Sequence, residues 1–258
     1  MQLQRVLDGI DYELHGALPQ ISGISYDSRQ VQPGYLFVAI SGLKQDGHSY
    51  VGKAIEKGAV AAVVERLIPD VNIPQIVVAD TRYALGHASA NFYDHPSRKI
   101  RVLGVTGTNG KTTTTYLVKS ILETAGYKVG LIGTIMTMIG DQVLESVRTT
   151  PESLELQRLL AQMAQEDVDY AVMEVSSHAL ELQRTAGLSF VSALFTNLSQ
   201  DHLDFHSNML DYFSAKAKLF TTLQGEAILN VDDPWGIKLQ RLCRTKILNY
   251  AIQKPANF

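Results

Sequence analysis

The segment Thr106-Gly107-Thr108-Asn109-Gly110-Lys111-Thr112-Thr113 stands where an apolar run, Ile100 to Val105, stops and a helical pattern begins. A strand that ends, turns tightly and enters a helix points backbone N–H groups at the positive end of the helix dipole, which suits a phosphate. Glycine at 107 and 110 permits positive φ and lets an anion approach the backbone. In that setting Lys111 would reach the β- and γ-phosphates of a nucleotide, and Thr112 would bring its hydroxyl to magnesium. The common phosphate-loop pattern has a glycine five residues before Gly110. Here Val105 holds that place with Gly104 beside it, so the loop is a variant.

Three further clusters carry polar groups at the ends of apolar runs. Tyr170-Ala171-Val172-Met173 ends in Glu174, and a carboxylate at the carboxyl end of a parallel strand faces the crevice where ligands bind. Glu174 could therefore reach the magnesium that Thr112 touches. Ser176-Ser177-His178 follows, with Arg184 beyond; from spacing alone a serine-capped helix with a solvated arginine explains these equally well. Phe195-Thr196-Asn197-Leu198-Ser199-Gln200-Asp201-His202-Leu203-Asp204 runs from a strand into a polar loop, where His202 could ligate a metal with Asp201 or Asp204 orienting it. Lys216 shares a helix face with Tyr212, Phe213 and Phe220, whereas Lys218 lies about 160° away. A lysine on an apolar face either snorkels or is chemically special, and spacing alone favours snorkelling.

The elements that must position these groups alternate. Pro33-Gly34 precedes the apolar run Tyr35 to Ile40; Val51, Ala54 and Ile55 have helical spacing that Gly58 stops; Ala59 to Val64 and Ile76 to Val78 read as buried strands. Asp80 or Thr81 can cap a helix to about Tyr93, and His95-Pro96-Ser97-Arg98 breaks the pattern, which sets a domain boundary there. Beyond it the order is strand to Val105, loop, helix from Lys111 to about Ala125 with Gly126 after it, and strand from Lys128 to Ile132. A helix opened by Pro151-Glu152-Ser153 and running to about Glu166, strands 168–173 and 191–195, a helix 211–220 and a strand 227–231 follow. The fold class is α/β: a small mixed α/β domain over residues 1–98, then a mostly parallel phosphate-loop sheet over 99–258.

Composition narrows the function classes. Lys plus Arg is 23 against 26 for Asp plus Glu, a net charge of -3 that gives no reason to expect binding to nucleic acid. The single cysteine, Cys243, allows no internal disulfide and fits a cytoplasmic setting. No apolar run approaches the ~18–20 residues of a membrane span.

Taken together, the motifs at 106–113, 174–178 and 197–204 resemble those of the Mur ligases. Asp27-Ser28-Arg29, with Pro33-Gly34 and Phe37-Val38-Ala39, is similar to the N-terminal domain of the UDP-N-acetylmuramoyl-tripeptide synthetases, the MurE branch. Gly42 to Gly47 followed by His48 fits the same place. The resemblance runs in order over essentially all 258 residues. It implies an ATP-dependent ligase of peptidoglycan precursor synthesis. ATP would phosphorylate the free carboxylate of UDP-MurNAc-L-Ala-D-Glu, and the amine of a third amino acid, meso-diaminopimelate or L-lysine, would attack the acyl phosphate. The tetrahedral intermediate would collapse to amide, ADP and phosphate.

The resemblance also implies residue roles. Lys111, Glu174, His202 and Lys216 would be catalytic. ATP would lie on Gly107, Thr108, Asn109, Gly110, Lys111, Thr112 and Thr113, with Asn230 of Asn230-Val231-Asp232-Asp233 near the adenine. Magnesium would occupy two positions, one at Thr112 and Glu174, the other at Glu174, His202 and a carbamylated Lys216. Carbamylation turns a cation on an apolar face into an anion able to meet a metal. The UDP-sugar peptide would fall on Tyr26, Ser28, the Leu43-Lys44-Gln45 turn, Thr149, Thr150, Ser176 and Arg184. Ser28 and the turn would hold the uridine diphosphate, and Thr149, Thr150 and Arg184 the peptide carboxylates. In one departure, the glutamine often found two residues before this arginine is Leu182 here, with Gln183 adjacent.

The resemblance further implies a complete central domain and a C-terminal domain that reads the incoming amino acid through an Asp-Asn-Pro-Arg motif, and neither is in the sequence. The expectation is a truncated chain that binds the UDP-sugar peptide weakly or not at all and does not ligate. Its sheet would expose an apolar edge open to pairing with another chain. Two other readings are a nucleotide-binding interaction module and another amide ligase of the superfamily, such as folylpolyglutamate synthetase, cyanophycin synthetase or the next Mur ligase. The Asp27-Ser28-Arg29 domain argues against these two synthetases.

Overall fold

The computed structural model describes residues 1–42, 45–140 and 142–258. The chain divides into two compact units, one of Met1–His95 with Ser153–Arg158 and Thr185–Leu188, the other of Pro96–Glu152, Leu159–Arg184 and Ser189–Phe258.

The first unit contains α1 (Leu3–Val6), β1 (Glu13–His15), β2 (Gly23–Ser25), β3 (Tyr35–Val38), α2 (Val51–Glu56), β4 (Ala59–Val64), β5 (Gln75–Val77) and α3 (Thr81–Phe92). Its sheet has the order β1-β5-β4-β3-β2, parallel throughout except for β1 on β5. Both faces are covered, and the two-residue period of a strand shows how. Leu36, Val38, Ala61 and Val63 pack with Leu3, Val6, Leu85 and Ala88, while Phe37, Ala39, Ala62 and Val64 pack with Val51 and Ala54. Asp80 caps α3, its Oδ1 accepting from Arg82 N at 2.8 Å and Tyr83 N at 3.0 Å. The strands β1 and β2 and the helix α1 were not expected from the sequence, since three or four residues are too few to establish a period.

The second unit contains β6 (Arg101–Thr106), α4 (Lys111–Thr124), β7 (Val129–Ile132), β8 (Met136–Ile139), β9 (Gln142–Glu145), α5 (Ser153–Gln165), β10 (Tyr170–Glu174), α6 (Ser177–Glu181), β11 (Ser192–Phe195), α7 (Met209–Thr221), β12 (Glu226–Asn230), α8 (Pro234–Gln240) and β13 (Ile247–Tyr250). The first six residues of α5, Ser153–Arg158, fall among the residues of the first unit. The sheet order is β13-β12-β11-β6-β10-β7-β8-β9. Pairing is parallel from β13 to β7, and the hairpin β8–β9 adds antiparallel strands. After β6 the chain builds β7 and β10 on one side and β11, β12 and β13 on the other. The winding therefore reverses at β6, and an open α/β sheet binds ligands beyond the carboxyl ends of its strands at such a reversal. The register brings three strand ends together there, with Glu174 beside Val105 and Phe195 beside Thr106.

The β13 edge, expected to be bare, carries a return of its own chain. Asn257 N and Phe258 N donate to Asn249 O, and Asn249 N donates to Asn257 Oδ1. Among the described residues no helix is long and apolar enough to cross a membrane.

Candidate functional site: the carboxyl ends of β6, β10 and β11

The loop from β6 to α4 depends on two glycines. Gly110 caps α4 at φ +87°, a left-handed conformation that a Cβ disfavours. A Cβ on Gly107 would lie 1.9 Å from Thr196 Oγ1, so only glycine lets the loop lie this close to the end of β11. Residues after β11 pin it there. Thr108 N donates to Asn197 O at 2.8 Å, Asn109 N to Asn197 Oδ1 at 3.0 Å, and Thr196 Oγ1 to Asn109 O at 2.7 Å. Ser199 N donates to Thr108 Oγ1 at 3.0 Å, and that oxygen lies 3.2 Å from Tyr212 Oη. The Thr108 and Asn109 amides thus serve the scaffold. The amides that open α4 have no Gly110 side chain over them, and there orphan donors and helix dipole coincide. Thr113 is exposed on that first turn.

Two lysines share one loop carbonyl. Lys111 Nζ donates to Gly107 O at 2.9 Å and Thr108 O at 2.8 Å; Lys216 Nζ donates to Gly107 O at 2.9 Å. Lys216 is 1% exposed, with its Nζ 4.7 Å from the centroid of the Tyr212 ring. Burial, reinforced by the Lys111 charge, pushes Lys216 down to about 7; burial also lowers Lys111, with Glu174 and Asp201 opposing. The helix-face reading is realised: Tyr212, Phe213 and Phe220 are buried with Lys216, while Lys218 reaches Glu181 at 2.6 Å.

Glu174 is 1% exposed at the end of β10. Its Oε2 accepts from Thr112 Oγ1 at 3.0 Å and Thr134 Oγ1 at 3.1 Å, and its Oε1 accepts from Thr134 N at 2.8 Å. A buried carboxylate beside a hydroxyl at the opening of a helix is the hard-oxygen donor set that suits magnesium. The second expected position is differently made. His202 Nε2 lies 3.6 Å from Asp201 Oδ2, and its ring meets His178 edge-on at 4.9 Å between centroids. Among the described residues no group of three or more His, Cys, Asp or Glu gathers as a metal site. An ion held by Glu174 and His202 would therefore need a ligand from outside the His, Cys, Asp and Glu side chains.

On the other side of Glu174 the polar groups are already linked. Thr150 is 1% exposed; its Oγ1 donates to Glu174 O at 2.9 Å and accepts from Ser176 N at 3.1 Å. Its hydroxyl hydrogen is committed to the end of β10. Ser176 caps α6, accepting from Ala179 N at 3.2 Å. Arg184 follows Gln183, whose φ of +53° turns the chain out of the helix. Its Nε lies 2.9 Å from Glu152 Oε1, and a second N–H donates to Thr150 O at 3.1 Å. Arg148 reaches the same Glu152 oxygen at 2.9 Å.

Sequence reasoning missed Glu152, Thr134 and His206. Arg148 and Glu152 are four apart at a helix start, which was a usable signal. Thr134 follows the apolar run of β7, so the strand-end argument that found Glu174 applies to it equally. His206 is buried, its Nε2 2.9 Å from Ser177 Oγ and its ring stacked on Tyr212 at 5.0 Å between centroids. Burial lowers both His206 and His178 from their ordinary value.

Asn230 is tied into the scaffold, its Nδ2 donating to Thr196 O at 2.7 Å and its Oδ1 accepting from Asp232 N at 3.0 Å. In the first unit, Tyr26 donates its hydroxyl to Glu155 Oε1 at 3.1 Å, Ser28 is largely buried, and Gln45 Oε1 accepts from Tyr50 Oη at 3.1 Å. Leu43 and Lys44 lie outside the described residues.

The profile described as Mur ligase middle domain matches residues 105–258, and that described as Mur ligase family, catalytic domain, matches residues 20–93. The UDP-N-acetylmuramoyl-L-alanyl-D-glutamate–2,6-diaminopimelate ligase of Syntrophomonas wolfei is 48% identical over 265 residues, covering 100% of this chain and 54% of the relative. The ligase of the same name from Aquifex aeolicus is 46% identical over 239 residues, covering 92% of this chain and 49% of the relative. A solved 2,6-diaminopimelate ligase of that name superposes with a TM-score of 0.82 at 27% identity, over 98% of this chain and 53% of that one. The MurF structure from Acinetobacter baumannii superposes at 0.69 with 26% identity, over 96% of this chain and 52% of that one. The chain spans about half the length of the curated relatives it matches. With the middle-domain profile matched over more than half its residues, the chain belongs to the Mur ligase family.

Proposed function

We propose that this chain carries the nucleotide and UDP-sugar sites of a cytoplasmic, ATP-dependent amide ligase, one that adds a diamino acid to UDP-MurNAc-L-Ala-D-Glu. Residues 1–98 serve the UDP-MurNAc moiety and 99–258 the ATP. The observation that carries the reading is Thr112 and Glu174 in contact at 3.0 Å at the opening of α4.

Each residue then has a task that chemistry defines. The α4 amides and Lys111 hold the phosphates; on binding, Lys111 exchanges the carbonyls of Gly107 and Thr108 for phosphate oxygens. Thr112 and Glu174 hold magnesium, which when bound offsets charge as a phosphoryl group moves onto the substrate carboxylate. Arg184, steadied by Glu152 and Thr150, presents N–H groups to a carboxylate of the peptide. Lys216, buried and held near 7, has a neutral amine available at mild pH, the form that carbon dioxide carbamylates. A carbamylated Lys216 with Glu174 and His202 would complete a second metal position.

Calorimetry with UDP-MurNAc-L-Ala-D-Glu and UDP-MurNAc-L-Ala tests the assignment. The expected result is weak but selective binding of the dipeptide form, lost in Arg184→Ala. Equal affinity for both ligands, or none for either, would contradict it.

A further inference from the structure

Thr134 lies outside every assigned role, yet it joins two parts of the site. Its amide and hydroxyl hold both oxygens of Glu174, at 2.8 and 3.1 Å, and the same hydroxyl oxygen is 3.0 Å from Thr149 Oγ1. Gly133 makes the approach possible, because a Cβ there would lie 2.6 Å from Glu174 Oε1. Ser146 Oγ donates to Gly133 O at 2.6 Å and fixes the turn from the far side.

Counting hydrogens sets a direction. A threonine hydroxyl has one hydrogen and two lone pairs, and a carboxylate only accepts. The Thr134 hydrogen goes to Glu174, so the Thr149 hydrogen goes to Thr134. Thr149 Oγ1 then meets a ligand with lone pairs alone. A carboxylate oxygen placed there would face an acceptor, and an N–H would be matched.

We propose that Thr134 is a positioning residue, holding Glu174 toward the magnesium position and making Thr149 an acceptor for an amide N–H of the bound peptide. This replaces the expectation that Thr149 holds a peptide carboxylate, and it rests on the function proposed above.

The test uses this chain with Thr134→Val, Thr134→Ser and Thr149→Val. Thr134 is exposed, so valine there disturbs no core. Calorimetry follows ADP binding at rising Mg2+. The expected result is metal-free ADP affinity within about two-fold of the parent in both Thr134 variants, the scale of a change that breaks no direct contact. The Mg2+ concentration that half-completes the tightening rises ~10-fold in Thr134→Val and returns in Thr134→Ser. In the second arm, UDP-MurNAc-L-Ala-D-Glu is compared with its depsipeptide analogue, ester in place of the Ala–Glu amide. The parent should prefer the amide, and Thr149→Val should bind both alike. An unchanged Mg2+ requirement in Thr134→Val, or an unchanged amide preference in Thr149→Val, overturns the proposal. No Mg2+ effect in the parent chain removes the functional reading itself, and the proposal with it.

Discussion

The Thr112–Glu174 position and the Lys216–His202 position stand at the ends of neighbouring strands, yet they are built on opposite principles. At the first, the hydrogen bonds to the carboxylate come from neutral donors, Thr112 and Thr134, which hold its geometry while the Lys111 charge also acts on it. At the second, two lysines crowd one carbonyl, with His178, His202 and His206 close by and an aromatic ring beneath Lys216. Under the proposed function, oxygen ligands at the first position would receive a cation in their resting state, whereas the amine of Lys216 at the second would become an anionic ligand only on carbamylation. The first position is preorganised, and the second is conditional.

Four perturbations separate the two, in falling order of expected size. His206→Ala removes a buried ring and its bond to Ser177. It should cost ~2–4 kcal/mol of stability, read by urea unfolding, with metal-free ADP affinity kept in the folded fraction. Lys111→Ala removes a charge-assisted donor and should weaken ADP by ~1.5–3 kcal/mol, about 10–150-fold by calorimetry. Lys216→Met replaces a buried amine with an apolar chain of similar length and should stabilise the chain by ~1–2 kcal/mol at pH 7. That gain should shrink as pH rises from about 7 toward 10.5. Across that window the unfolded chain binds a proton at Lys216 that the folded chain lacks, so the parent gains stability with pH. A Tm difference constant from pH 7 to 10 would place Lys216 with the preorganised groups after all. Arg148→Ala breaks a half-exposed pair with Glu152 and should cost no more than ~1 kcal/mol in thermal denaturation, leaving Arg184 on the same carboxylate.

Legibility in the sequence followed the length of the pattern. The strand, loop and helix from 101 to 124 were readable because a six-residue strand running into Gly107 and Gly110 leaves few alternatives, and the strand ending in Glu174 because the apolar run Tyr170 to Met173 stops at an acid. The face of Lys216 was readable because a 13-residue helix fixes its phase. The β8–β9 hairpin was not, since two four-residue strands carry too little alternation to stand out. Thr150 shows a different gap. Its residue type matched an expected ligand contact, but its hydroxyl hydrogen is committed to Glu174 O, a pairing 24 residues away that spacing cannot reveal. Glu152 reads locally as a helix-start acid and becomes the anchor of Arg184 only when β10 and α6 bring residue 184 back to it.

On this reading Thr112 and Glu174 form a metal–nucleotide position before any ligand arrives. ADP titrated with and without Mg2+ into the parent chain and Glu174→Gln tests it most directly. Mg2+ should tighten ADP in the parent and have little effect in Glu174→Gln, with metal-free affinity alike in both. Equal tightening by Mg2+ in the two chains would contradict it.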